Sequence, residues 1–114
     1  MITINIANEY TKMPGGRHVG EGQFSGEDFR RSMLAPAFQK AQEKKEDLLV
    51  NLDGGYGYAT SFLEESFGGL ARETLNPAVL KIKLISEEEP SLIAKIYQYM
   101  RDALKEQGVA LVAL

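Results

Sequence analysis

Chemistry in this chain rests on a few residue groups. Arg17 and His18 lie in a stretch punctuated by Gly15, Gly16, Gly20, Gly22 and Gly26. A guanidinium and an imidazole on such a loop suit an anion or a phosphate, and equally a solvated pair. Asp53 closes an apolar run and is followed by Gly54-Gly55-Tyr56-Gly57-Tyr58. These glycines either bring backbone amides to a ligand at the carboxyl end of a strand, where open α/β sheets bind, or simply turn the chain. Tyr56 and Tyr58 offer aromatic area of the kind enriched at interface centres, with core packing of one of them as the other reading. Thr60 and Ser61 stand at the start of the next helical pattern. Exposed backbone N–H groups and the helix dipole favour negative charge there, and Glu64 and Glu65 oppose it by like charge. Ser61 and Glu64 also read as a capping box, in which the serine is only an N-cap.

Other chemistries lack their parts. There is no cysteine and a single histidine, which removes thiolate nucleophiles, iron–sulfur clusters and cysteine-bound zinc. A metal site is not expected, because Glu87, Glu88 and Glu89 read as first-turn charges of a helix. Gly20-x-Gly22 with Gly26 lacks a strand leading into it and a P-loop lysine, so it is a weak dinucleotide signal. Ser61 has no histidine in a triad-like arrangement, and no carboxylate pair is marked as an acid/base couple. The expectation is therefore a non-enzyme without cofactor. With 13 basic and 16 acidic residues, a net charge of −3 and no Lys/Arg cluster longer than a pair, nucleic-acid binding is disfavoured.

The elements that position these groups follow from pattern. At 114 residues and 44% hydrophobic composition, the chain reads as a single domain spanning residues 1–114 with a real core. The first residues alternate polar and apolar, and no stretch approaches a membrane span, so a cytoplasmic location away from membranes is the default. Ile2, Ile4 and Ile6 predict a strand with one wet face and an antiparallel neighbour. A short strand is allowed around Arg17 to Val19. Ser25 and Asp28 form a capping box, with Phe24 and Phe29 placed as a hydrophobic staple, and open a helix that Pro36 must kink or split. Leu48 to Leu52 reads as a central strand buried on both faces.

A second helix is expected from Ser61, with Gly68 and Gly69 marking close approach of another backbone, and Asn76-Pro77 stopping it. Leu80, Ile82 and Leu84 alternate with Lys81 and Lys83 as a third strand. Pro90 starts a third helix, Gly108 caps it, and Val109 to Leu114 makes a last strand. Strands alternating with helices give an α/β fold with a mixed, mainly parallel sheet of four to five strands and helices mainly on one face. The oligomeric state is left open.

Gly16-Arg17, Ser25-Gly26-Glu27-Asp28-Phe29-Arg30, Asn51-Leu52-Asp53-Gly54 and Ser61-Phe62-Leu63-Glu64-Glu65-Ser66-Phe67-Gly68-Gly69-Leu70 together resemble the STAS-like domains of unknown function, the DUF4325 family. The resemblance covers nearly the whole chain. The wider STAS group, which includes anti-sigma-factor antagonists, implies a compact regulator that docks a protein partner such as a switch-type histidine-kinase-like ATPase. It implies that Thr60 or Ser61 matches the phosphoacceptor position and Asp53 the acidic end of the preceding strand. The usual Asp-Ser pair is replaced by Ala59-Thr60-Ser61. The alternative expectation is a small nucleotide- or anion-binding domain using the Arg17 loop and the Gly54–Tyr58 turn, with Asp53, Gly55, Gly57 and His18 nearby.

Overall fold

The computed structural model describes residues 1–111. Strand β1 (Ile2–Asn5) runs into a single turn of helix, α1 (Ile6–Glu9), capped by the Asn5 side chain. A loop with one 3₁₀ turn at Val19–Glu21 leads to α2 (Gly26–Phe29). The backbone continues without a break through a π turn at Arg30–Leu34 into α3 (Ala35–Lys44). Strand β2 (Leu48–Asn51) follows, then α4 (Thr60–Leu63), a second π turn at Glu64–Gly68 and α5 (Gly69–Thr74). A 3₁₀ turn at Pro77–Lys81, strand β3 (Lys83–Ile85) and α6 (Ser91–Glu106) complete the described chain.

The sheet has three strands among the described residues, in the order β1-β2-β3, and both pairings are parallel. Three, not four to five, is the first correction. The register places Ile4 beside Val50 and Val50 beside Leu84. Ile2, Ile4, Leu48, Val50 and Leu84 thus share the face that packs with α3, α5 and α6 into one core. Thr3, Leu49 and Lys83 lie on the other face, and Leu49 is only half-buried, so β2 is central in order but not buried on both sides. β1 is parallel to its neighbour because the chain returns through a helix before pairing. The period-two pattern of Ile2 and Ile4 reports one open face, not strand direction.

Local chemistry explains most boundaries. The Ser25 hydroxyl accepts from the Asp28 N–H at 3.0 Å, as an N-cap should. Phe24 and Phe29 meet through the Tyr10 ring, with centroids at 5.4 and 5.2 Å. Pro36 neither splits nor ends its helix. The widened turn just before it absorbs the missing N–H and the ring clash. The expected third strand begins late: Val79 and Ile82, three residues apart, are the buried pair, which is 3₁₀ spacing. Asn76, whose side chain accepts from the Ala78 N–H, starts that turn.

No strand forms at Arg17 to Val19, where a 3₁₀ turn starts instead. Val109–Leu111 is not a strand, and the remainder of the expected last strand lies outside the described residues. Glu87, Glu88 and Glu89 stand in the loop ahead of α6 rather than in its first turn, because the helix starts only after Pro90. Leu92, Ile96, Met100, Ala103 and Leu104 bury one face of α6, and Phe29, Phe62 and Phe67 fill the centre. Each of those rings contributes about 2–3 kcal/mol of transfer free energy.

Candidate functional site

The loops after β1, β2 and β3 meet at the carboxyl ends of the strands. The Asn51 side chain accepts from the Asp53 N–H at 2.9 Å and turns the chain out of β2. The Asp53 carboxylate then accepts from the Glu87 and Glu88 N–H groups, both at 3.0 Å. In return, the Glu88 carboxylate accepts from the Gly54 N–H at 2.6 Å. This reciprocal clamp joins two loops and fixes two carboxylates with backbone donors.

The glycine turn serves chain packing. A Cβ at Gly55 would stand 3.0 Å from the Lys12 carbonyl oxygen, and the Tyr56 N–H donates to that same oxygen at 2.9 Å. Gly54 and Gly57 have φ of +101° and +122°, a region where side-chain-bearing residues are strained. The two tyrosines part company. Tyr58 folds back, donating from its hydroxyl to the Leu52 carbonyl at 2.8 Å and packing its ring 5.9 Å from Phe62. Tyr56 projects outward and is 81% exposed. Between the loops lies a cleft of ≈280 Å³ with Leu52, Tyr58 and Leu92 at its floor and Asp53, Glu88 and Glu89 among its polar walls. Burial first, then the charges of Asp53 and Glu88, push the Tyr58 hydroxyl up to about 12.

Thr60 is exposed and Ser61 half-buried beside this cleft. Ser61 is not the N-cap. Ala59 holds that position, and its carbonyl accepts from Phe62 and Leu63 at 3.1 and 3.3 Å. The capping box is absent because the helix starts at Thr60, and Glu64 is engaged elsewhere: Arg72 donates to it at 2.6 and 3.1 Å and Arg17 at 2.5 Å. Arg17 also reaches Glu65 at 3.3 Å. Glu65 accepts from Arg30 at 2.5 Å, and Arg30 donates again to the Glu65 backbone carbonyl at 2.7 Å. Burial alone would raise the Glu64 carboxyl, but hydrogen bonds from Arg72 and Arg17 outweigh it and hold the group below the usual carboxylate range.

This ion-paired junction spans the two π turns and joins the Arg17 loop to the second helical rod. Gly68 and Gly69 make room for it: a Cβ at Gly69 would collide with the Arg30 guanidinium, and one at Gly68 with the Glu64 carboxylate. The close approach expected at these glycines is therefore of charged side chains, not of another backbone. Gly26 is where backbones do crowd, since a Cβ there would lie 2.5 Å from the Phe62 carbonyl oxygen.

Arg17 is thus directed to Glu64 and Glu65, away from the Gly54–Tyr58 turn, and its charge is compensated. His18 is mostly exposed, with Nδ1 3.5 Å from Glu27. The anion-binding alternative joined the Arg17 loop with the Gly54–Tyr58 turn, and the Arg17 guanidinium is instead engaged by Glu64 and Glu65. Sequence reading missed Arg30, Glu65 and Arg72. A usable signal was present: Glu65 lies three residues after Phe62 in a helical stretch whose Phe62, Leu63, Phe67 and Leu70 are apolar and buried. A carboxylate there requires cations.

Helices packed on one face of a short parallel sheet, with the strand-to-helix loops gathered around a cleft at one end, define a small α/β domain of STAS-like fold. The match that specifies it further runs over residues 25–91, to the family described as STAS-like domain of unknown function (DUF4325), and the chain belongs to that family. The matched span holds the cleft apart from Leu92, together with Thr60, Ser61, Arg30, Glu64, Glu65 and Arg72, and leaves out Arg17 and His18. Comparison with curated proteins and with solved structures gave no match.

Proposed function

We propose that this domain is a non-enzymatic regulatory module that docks a partner protein on the edge formed by the Asp53–Tyr58 turn and the start of α4. The observation that carries the reading is Tyr56, an aromatic side chain 81% exposed on a turn whose backbone is tied to Lys12 and Glu88. A contact residue held this way loses little freedom on binding, and tyrosine is enriched among the residues that dominate interfaces. Glu64 and Glu65 neutralise arginines, and the single histidine, His18, lies by Glu27 rather than Ser61. Among described residues, no helix is long and apolar enough to cross a membrane.

The resemblance adds a switch-type histidine-kinase-like ATPase as the partner, and control by phosphate on Thr60 or Ser61. Thr60 is exposed enough to be modified. The repulsion expected from Glu64 is offset, because Arg72 and Arg17 already pair with it. A photo-crosslinking residue at position 56, in native extract with and without ATP, identifies the partner, and phosphopeptides covering residues 51–72 report the modification. With purified partner, Tyr56→Ala weakens binding about tenfold or more while the fold is unchanged. Full affinity in the folded variant overturns this surface, and absence of phosphate at both hydroxyls overturns the switch.

A further inference from the structure

The acidic walls of the strand-end cleft contrast with the ion-paired junction between the helical rods. Among the described residues, no Lys, Arg or His nitrogen lies within ion-pair distance of Asp53, Glu87, Glu88 or Glu89. Elsewhere Glu27, Glu64 and Glu65 each meet two cations. Asp53 and Glu88 are also fixed in place by backbone N–H donors, so their orientation is set before anything binds. The floor beneath them is apolar: Leu52 and Leu92 are 3% and 5% exposed, and the Tyr58 ring lies beside them. At ≈280 Å³, the cleft has room for a side chain.

We propose that the cleft is the anchor pocket for an arginine side chain of the docked partner. This rests on the reading of this edge as a protein-docking surface and names the chemistry of what docks. The three-carbon stem of arginine lies along Leu52, Leu92 and Tyr58, as long cationic side chains do on apolar surface. The guanidinium meets the Asp53, Glu88 and Glu89 carboxylates, whose planar geometry it matches with paired donors. Tyr56 at the lip supplies an aromatic face for the same cation. The alternatives fit less well. A nucleotide brings its own negative charge to this rim, and among the described residues no group of three or more acidic or histidine side chains is disposed to hold a metal ion.

The test is a backbone-amide NMR titration of the full chain with N-acetyl-arginine amide, with the citrulline analogue as an uncharged near-isostere. The arginine probe produces saturable shifts at residues 53–58 and 87–92 that weaken with added salt, and citrulline binds about tenfold more weakly or less. Glu89→Gln and Glu88→Gln, which keeps an oxygen for the Gly54 N–H, weaken the arginine probe by a similar factor while the remaining spectrum is unchanged. Absence of saturable shifts, equal binding of citrulline, or shifts confined to other surfaces overturns the pocket. The two readings fail separately. If a partner crosslinks at position 56 and is weakened by Tyr56→Ala but not by Glu88→Gln or Glu89→Gln, the docking surface stands and the arginine anchor falls. If the probe binds as described and no protein crosslinks, the cleft's recognition of arginine stands, and its role as a partner's anchor falls with the docking reading.

Discussion

The junction between the two helical rods and the cleft at the strand ends both gather acidic residues, and they treat them oppositely. At the junction, Glu64 and Glu65 are drawn into the structure and neutralised by Arg17, Arg30 and Arg72. At the cleft, Asp53 and Glu88 are held by backbone N–H groups, which orient a carboxylate without cancelling its charge. The first arrangement fixes how one rod and the Arg17 loop sit against the other rod. The second leaves a net negative surface beside an exposed tyrosine. A carboxylate's residue type therefore says little about its role; its donors say more.

The largest effect that separates the regions is expected from Glu65→Ala. It removes the closest carboxylate from the Arg30 guanidinium, whose side chain is only 12% exposed, and leaves it the more exposed Glu73 at 3.3 Å and the residue-65 backbone carbonyl. Chemical denaturation should show a loss of about 3 kcal/mol, and replacing both partners by apolar residues, Arg30→Met with Glu65→Leu, should recover most of it. A double variant as unstable as the single one would show that the junction does more than compensate its own charges. Gly26→Ala comes next. Its Cβ meets the Phe62 backbone carbonyl, which cannot swing aside as a side chain can, so thermal or denaturant unfolding should register a loss of about 2 kcal/mol.

pH acts on the two regions from opposite ends. Glu64 has a lowered folded-state value, so its contribution is complete above the ordinary 4.5 and disappears as pH falls through that lowered value. Amide exchange in the Arg17 loop should rise in that acidic window, and Arg17→Gln should abolish the rise by releasing the loop at all pH. Tyr58 has a raised value. Its contribution is complete below the ordinary 10.0 and is lost as pH rises toward about 12, which an absorbance titration of the phenolate detects. The smallest effect belongs to Ser61→Ala. Since Ala59 is the N-cap, the change should cost only a few tenths of a kcal/mol, against about 1 kcal/mol if the hydroxyl capped the helix.

Much of the fold was legible locally. The Ser25 cap, the buried face of α6 and the alternation of Ile2 and Ile4 in β1 depend on residues within a few positions of each other, and the structure keeps them. Errors arose where two local signals competed. Asn76-Pro77 imposed a 3₁₀ turn on residues whose alternation suggested strand, and the helix starts at Thr60 with Ala59 as its cap, while arginines distant in sequence engage Glu64. Strand direction was not legible either, since a wet face is compatible with both pairings.

The candidate site divides in the same way. The residue types that could bind or be modified, from Asp53 through Ser61, are visible in the chain itself, as is the stretch that places it in its family. Which tyrosine turns outward, which carboxylates remain uncompensated and where Arg17 goes were decided only by tertiary structure. The physical reason is separation along the chain. Arg17 meets Glu64 across 47 positions, Arg30 meets Glu65 across 35, and Asp53 holds Glu87 and Glu88 across 34 and 35. No local pattern carries such pairings; they exist once the sheet and helices have brought the loops together.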